Sequence, residues 1–284
     1  MKKYWRLFAL DDAVKVVTWN LNSIRSRLER LLDYLKREQP DVVALQELKC
    51  IDGQFPYDAI ESMGYKAAVH GQKTYNGVAV LTKVGMNCRV ESIELMPGDT
   101  EARFIHCCVD KNSSGSIIDV VCIYAPNGRN INDPAYRYKL RWFEALNTYI
   151  QQQISKKSKK IIVLGDFNIA PQDIDCFDPE GFYEQLHVST PERTVFTKLL
   201  QQGLIDLYRE VSPAETSYSW WDYRNLGFAK NHGLRIDFIL SSLNLSRGLV
   251  DCYIARDERR APKDRPKPSD HAPVVAIFKE NVFA

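Results

Sequence analysis

The chain has 284 residues, close to the upper limit for one hydrophobic core, and its 45% hydrophobic and 26% charged residues are the composition of a folded globule. With 38 Lys and Arg against 36 Asp and Glu, the net charge is only +2. That excludes a histone-like binder that attracts nucleic acid over its whole surface, so any such attraction must be local.

Along the chain, residues 1–13 are expected to form an N-terminal extension. Met1 to Arg6 is basic, but Leu7 to Leu10 is too short for the apolar core of a signal peptide, which needs about 7–15 residues. No other apolar run is long enough to span a membrane. Val14 to Asn20 reads as a strand. Ile24, Leu28, Leu31, Leu32 and Leu35 then recur with helical spacing, with Ser23 as N-cap and Pro40 as the stop. Val42 to Leu45 reads as a strand buried on both faces. Lys66 to His70, Val78 to Thr82, Arg103 to Asp110 and Ile117 to Tyr124 suggest an antiparallel meander between Gly, Asn and Ser turns. A helix carrying Tyr138, Trp142, Leu146, Tyr149 and Ile150 on one face leads into the strand Ile161 to Leu164. Further strands are expected at Arg235 to Ser241, Leu249 to Ala255 and Pro273 to Phe278. The result is an α/β protein with helices outside strand layers. In the absence of a repeat or a Gly/Ser linker, residues 14–284 read as one domain.

Two segments supply local positive charge: Lys156, Lys157, Lys159 and Lys160, and Arg256 to Lys267, where Arg256, Arg259, Arg260, Lys263, Arg265 and Lys267 outnumber the acids. Each is more often a solvated surface than a binding patch. Seven cysteines, odd in number and without a C-x-x-C pair, predict reduced, buried thiols and an intracellular, cytoplasmic protein.

Polar residues sit directly after the apolar strands: Asn20, Glu47, Tyr124, Asp166 with Asn168, and Asp270 with His271. Loops at strand ends commonly build one active-site rim. Turn-forming explains Asn and Asp about as well, but it does not explain Glu47 or Tyr124. Carboxylates and amides are hard oxygen donors that suit Mg²⁺ or Mn²⁺. The five scattered histidines lack zinc spacing, and no phosphate-binding P-loop is present. In Gly165-Asp166-Phe167-Asn168, an extended backbone would point Asp166 and Asn168 to one face. Ser269-Asp270-His271 cannot be a catalytic triad, because consecutive side chains do not aim at one another. The residue that orients His271 is therefore expected elsewhere, at Asp237.

Thr18-Trp19-Asn20-Leu21-Asn22, Leu45-Gln46-Glu47, Tyr75-Asn76-Gly77-Val78-Ala79, Tyr124-Ala125-Pro126-Asn127, Gly165-Asp166-Phe167-Asn168, Tyr218-Ser219-Trp220-Trp221, Leu234-Arg235-Ile236-Asp237 and Ser269-Asp270-His271-Ala272-Pro273 together resemble the exonuclease III family of abasic-site endonucleases, within the endonuclease/exonuclease/phosphatase superfamily. The match runs from about Val14 to Phe278. It has no counterpart for the first dozen residues and none for Cys176 to His187.

The resemblance implies a four-layer α-β-β-α sandwich of two mixed β-sheets flanked by helices. It implies hydrolysis of the phosphodiester 5′ to abasic sites in double-stranded DNA, removal of blocked 3′ ends, and 3′→5′ exonuclease action in base-excision repair, by a monomer. Glu47 would be the principal Mg²⁺ ligand, in a metal environment with Asn20, Asp166, Asn168, Asp270 and His271. Asp166 would activate water, Asn168 would assist it, Tyr124 would lie near the phosphate, and His271, held by Asp237, would contact it. Trp220, Leu234 and Ile236 would wall a pocket for a base-less sugar, while Asn22, Asn76, Asn127 and Arg129 would approach the DNA. A phosphoinositide-type substrate on the same core, or a catalytically dead binding protein, are the alternatives.

Overall fold

The computed structural model describes residues 13–111, 116–156, 159–261 and 266–283. All but the last residue of the expected N-terminal extension therefore lies outside the described residues, as do Lys157, Lys263 and Arg265 of the two basic segments.

In chain order the strands are β1 (Ala13–Asn20), β2 (Val42–Gln46), β3 (Tyr65–His70), β4 (Val78–Lys83), β5 (Met86–Glu91), β6 (Phe104–Lys111), β7 (Ile117–Tyr124), β8 (Lys160–Asp166), β9 (Leu204–Asp206), β10 (Asp237–Ser242), β11 (Leu249–Ile254) and β12 (Val274–Lys279). They form two six-stranded sheets in the orders β11-β12-β1-β2-β4-β3 and β5-β6-β7-β8-β10-β9. Both sheets are mixed. β1 and β2 pair parallel in the first, β7 and β8 parallel in the second, and the other neighbours are antiparallel.

Side-chain alternation sorts each strand between two cores. Val14 and Val16 of β1 meet Val120 and Cys122 of β7 in the layer between the sheets. Val17 and Trp19 point the other way, onto α1 (Ile24–Glu38) and α2 (Tyr57–Ser62). Val121 and Ile123 of β7 likewise face α3 (Pro134–Ile154) and α4 (Thr190–Gln201). The four layers α-β-β-α follow directly, as the resemblance implied. Each fully buried aliphatic or aromatic side chain contributes about 1.5–3 kcal/mol.

Helix α1 begins as the sequence indicates, with the Ser23 hydroxyl accepting from the Ser26 N–H, and it ends on Gln39 in the left-handed region before Pro40. Helix α4 is not among the elements the periodicity predicts. A local signal marks its start nonetheless: Ser189 and Glu192 form a reciprocal capping box ahead of Pro191.

The expected meander from Tyr65 to Tyr124 is corrected. β3 and β4 pair in the first sheet, whereas β5, β6 and β7 belong to the second. The chain changes sheets at Val84-Gly85, where Gly85 takes φ 102°. Alternation with period two marks strands but does not say which sheet a strand joins. β5, with Asn87, Arg89 and Glu91 on an edge, is too polar to announce itself. Among the described residues no helix is long and apolar enough to cross a membrane.

Candidate active site

The polar strand ends converge where the two sheets meet. β1 and β2 deliver Asn20 and Gln46 at the same edge, and Glu47 follows. In the second sheet Tyr124, Asp166 and Asp237 stand side by side across three strands, since Asp166 is in register with both of the others. The loops of the first sheet are locked to one another: Leu21 N–H donates to Gln46 O (3.0 Å), Ser23 N–H to Glu47 O (2.8 Å) and Ile24 N–H to Leu48 O (3.2 Å). Glu47 itself has φ 52°, a left-handed conformation that for a residue of this kind costs about 1 kcal/mol. Such strain at a strand end commonly accompanies function.

One amide joins the sheets. Asn20 Nδ2 donates to Glu47 Oε1 and to Asp166 Oδ2, both at 2.9 Å. Its carbonyl oxygen accepts from Asn22 N–H at 2.9 Å. In this orientation Asn20 holds the two carboxylates, and one lone pair of its carbonyl oxygen is taken by Asn22. Asn168 is also held: its Nδ2 donates to Ala125 O (3.0 Å), its Oδ1 accepts from Asn127 Nδ2 (3.2 Å), and its own N–H donates to Asp166 Oδ1 (2.8 Å). The expectation of an extended Asp166-Phe167-Asn168 is corrected, because Asn168 has φ 52° and a turn, not a pleat, brings the two residues together. Gly165, just before it, lets β8 lie close against β7. A Cβ there would sit 1.9 Å from Ile123 O, at φ 149°.

His271 lies opposite. Its Nδ1 bonds Asp237 Oδ2 at 2.9 Å and Oδ1 at 3.1 Å, the partner expected from sequence, and its Nε2 faces Asp166 Oδ2 at 3.8 Å. Burial works against a charge on His271, but Asp237 and Asp166 outweigh it and raise the imidazole to about 10. Burial, with Asp237 and Glu47 adding to it, pushes the Asp166 carboxyl up to about 7 against the opposing charge of His271. Tyr124 is raised well above the usual phenol range by burial and by the nearby Glu47 and Asp166, so it keeps its proton. Although burial opposes its charge, Asp270 is held below the usual carboxylate range by the charge on His271 and by donors from Asn22 (2.9 Å) and Trp220 Nε1 (3.2 Å).

Of the six residues expected around a metal, Glu47, Asp166 and His271 each offer a ligand atom, all within 4.8 Å of one another. Two carboxylates and an imidazole at the mouth of a strand-end site fit a divalent cation. Lys49 Nζ, 2.9 Å from Glu47 Oε2, already partly compensates the carboxylates.

Sequence reasoning did not single out three supporting residues. Ser219 Oγ donates to Asp237 Oδ2 at 2.6 Å and accepts from the N–H groups of Ile236 and Asp237, so it fixes the residue that fixes His271. Lys139, fully buried on α3, donates to Asn127 O (3.1 Å), Asn168 O (2.6 Å) and Glu192 Oε1. His187 Nδ1 bonds Asn168 O at 2.6 Å. Ser219 lies within one of the quoted motifs; nothing in the sequence marks Lys139.

The residues expected at DNA are spread along the rim. Asn22 bridges Asp270 and Lys49, and Asn127 bonds Asn168. Asn76 Nδ2 donates to Gln72 Oε1 and its backbone carbonyl accepts from the N–H of Lys49, two residues after Glu47, while Arg129 is exposed near Asp133. Trp220 is at the rim while Trp221 is core. Leu234 and Ile236 are 1% and 2% exposed, packed with Ala170, Cys176 and Val188. The basic stretch near Arg259 packs on the site's flank, with Lys267 Nζ 3.9 Å from the Tyr223 ring and Arg259 buried against Tyr223 and Phe228. Of the lysine run, Lys159 and Lys160 instead lie at the start of β8, at the far end from Asp166.

Residues 17–271 match the endonuclease/exonuclease/phosphatase family. The chain belongs to this family. Exodeoxyribonuclease III of Haemophilus influenzae is 35% identical over 94% of this chain and 100% of its own length. Two solved structures of the endonuclease/exonuclease/phosphatase fold are also similar. The 3′ phosphatase NExo from Neisseria, bound to product DNA hairpin, is 38% identical with a TM-score of 0.83, over 93% of this chain and 99% of that one. The AP endonuclease from Archaeoglobus fulgidus is 33% identical with a TM-score of 0.82, over the same shares.

Proposed function

We propose that the protein is a metal-dependent DNA-repair nuclease of the exonuclease III kind, hydrolysing the phosphodiester 5′ to abasic sites and removing blocking groups from 3′ ends, with Mg²⁺ as its ion and Mn²⁺ as a substitute. Residues 14–284 act as one domain and the protein works as a monomer in the cytoplasm. Seven free cysteines, five of them buried, support a reducing compartment. The observation that carries the reading is the single constellation in which Asn20 bridges Glu47 and Asp166 while Asp237 holds His271 over the same carboxylate.

Glu47 would be the principal ligand of the ion, with Asp166 beside it and Asn20, Asn168, Asp270 and His271 in its surroundings. Bound there, Mg²⁺ offsets the negative charge that develops on the phosphoryl and leaving oxygens. The chain's own groups do the rest. Asp166, poised near neutrality, accepts a proton from the attacking water, and the Asn168 N–H holds its other oxygen in place. His271 keeps Nδ1–H on Asp237 and presents Nε2–H to a phosphoryl oxygen. Tyr124 retains its proton and donates to the same group. Trp220, Leu234 and Ile236 select a sugar without a base, while Asn22, Asn76, Asn127 and Arg129 meet the DNA backbone.

One observation favours a second reading, in which 3′-end trimming dominates over internal cutting. Leu234 and Ile236 are covered by their neighbours, so an internal abasic sugar must displace side chains, whereas a 3′-terminal phosphate needs only the strand-end site. The test is a labelled duplex with one tetrahydrofuran abasic analogue, beside a 3′-phosphorylated nick and an intact duplex, each with Mg²⁺ and with EDTA. Cutting at the analogue supports the first reading, and phosphate release without it the second. No metal-dependent product from either, with the protein folded, refutes both.

A further inference from the structure

A second group of metal-type side chains lies far from the strand-end site. His106 and Cys108 on β6 and Asp119 on β7 present ligand atoms that all lie within 4.8 Å of one another. His106 Nε2 is 2.6 Å from Asp119 Oδ1, and Cys108 Sγ donates to Asp119 Oδ1 (3.6 Å) and Glu91 Oε1 (3.3 Å). Ligand atoms around a tetrahedral ion with bonds of about 2.0–2.3 Å lie about 3.3–3.8 Å apart, so the sulfur separations already match, while the His106–Asp119 hydrogen bond must open by somewhat under ~1 Å to admit the ion. His106 and Asp119 are buried and Cys108 is half-buried, at the floor of a cleft of about 440 Å³ whose wall includes Glu91. From Asp119 to Tyr124 is five residues of one strand, about 17 Å, so the two groups do not share an ion.

We propose that His106, Cys108 and Asp119, with Glu91 beside them, form a binding site for a thiophilic divalent cation of the Zn²⁺ class. Imidazole, thiol and carboxylate together suit Zn²⁺ and disfavour Mg²⁺, which takes oxygen ligands. The surroundings supply what such a ligand set needs. His106 Nδ1 bonds Tyr149 Oη at 2.5 Å, so the ring is already oriented by a second partner. On binding, His106 gives up the Nε2 proton and is protonated at Nδ1 instead, so the ring N–H donates to Tyr149 Oη and the phenol O–H rotates away from it. Cys108 loses its proton to solvent and the ion takes both positions. Two charges oppose this: Lys159 Nζ, 3.2 Å from Asp119 Oδ1, and the Arg89 guanidinium paired with Glu91 must both swing aside, which the partial exposure of the first and the greater exposure of the second allow. The ammonium and the ion thus compete for one carboxylate, an antagonism that a purely structural His-Asp contact would not show.

The full-length protein, stripped of metal and held in excess Mg²⁺ to fill the strand-end site, is titrated with Co²⁺ and then with Zn²⁺. The expected result is a thiolate-to-cobalt charge-transfer band at one ion per chain, bleached by Zn²⁺. It is lost in Cys108→Ser and weakened in Asp119→Asn, while Mg²⁺-dependent nuclease activity of Cys108→Ser is unchanged. Lys159→Gln should bind Co²⁺ several-fold more tightly. Absence of the band in the wild type, its survival in Cys108→Ser, or unchanged affinity in Lys159→Gln would each overturn the proposal. The band should persist in Glu47→Gln, and its loss there would place the ion at the strand-end site instead.

Discussion

Replacing Lys139 by methionine removes a cation that touches neither solvent nor any expected substrate, yet the structure gives it three acceptors: Asn127 O, Asn168 O and the Glu192 carboxylate. Both members of the Lys139–Glu192 pair are fully buried. The methionine fills the space but leaves a carboxylate uncompensated in the interior, a loss of about 3–5 kcal/mol. Glu192→Gln should do less harm. Burial already lowers the Lys139 pKa against the pull of Glu192, so the lone amine can shed its proton, and glutamine keeps an acceptor for the Ser189 hydroxyl. In the double variant neither charge remains. Urea denaturation followed by far-ultraviolet circular dichroism should therefore give a coupling of about 2 kcal/mol or more between the two substitutions. In nuclease assays Lys139→Met should lower kcat, because the carbonyls of two loop residues around Asp166 lose their common donor. Additivity to within about 0.5 kcal/mol would refute the view that the pair acts as a unit.

Three further outcomes are expected. Glu47→Gln and Asp166→Asn should each abolish metal-dependent cleavage while leaving the circular dichroism spectrum and cooperative unfolding intact; retained cleavage in either removes that residue from the site. Gly165→Ala should destabilise by about 3 kcal/mol or more, since the added carbon meets the Ile123 backbone rather than a movable side chain, and an unchanged urea midpoint would contradict that geometry. Burial, helped by the nearby Lys139 charge, lowers the His187 imidazole to about 4. The unfolded chain therefore binds this proton near pH 6.5 and the folded one does not, so stability should fall as pH drops from about 6.5 to about 4. His187→Gln should show a shallower slope over that window in otherwise identical urea titrations.

The strand ends were legible because apolar runs that stop on Asn20, Glu47, Tyr124 and Asp166 combine burial with chemistry in neighbouring positions. The pairing of His271 with Asp237 was legible by exclusion, as adjacent side chains diverge. Three features were not. Sheet membership of β3 to β7 depends on a turn at Val84-Gly85 whose direction the alternation does not encode. The conformation of Asn168 is set by contacts with Ala125, Asn127 and Lys139 from other elements, so its local sequence suggested a strand. Leu234 and Ile236 pack with Cys176 and Val188, in a segment without a recognised pattern, so these partners of the expected pocket wall could not be read from the sequence.

Each sheet holds only half of the reactive group. Asn20, Glu47 and His271 hang from one, Tyr124, Asp166 and Asp237 from the other, and the Asn20 amide and the His271 imidazole are the bolts between them. A chain with either sheet formed alone has no complete centre, so a nascent or partly unfolded molecule is harmless to DNA. Recovery of cleavage during refolding then times the docking of the sheets, and it should trail the return of β-structure.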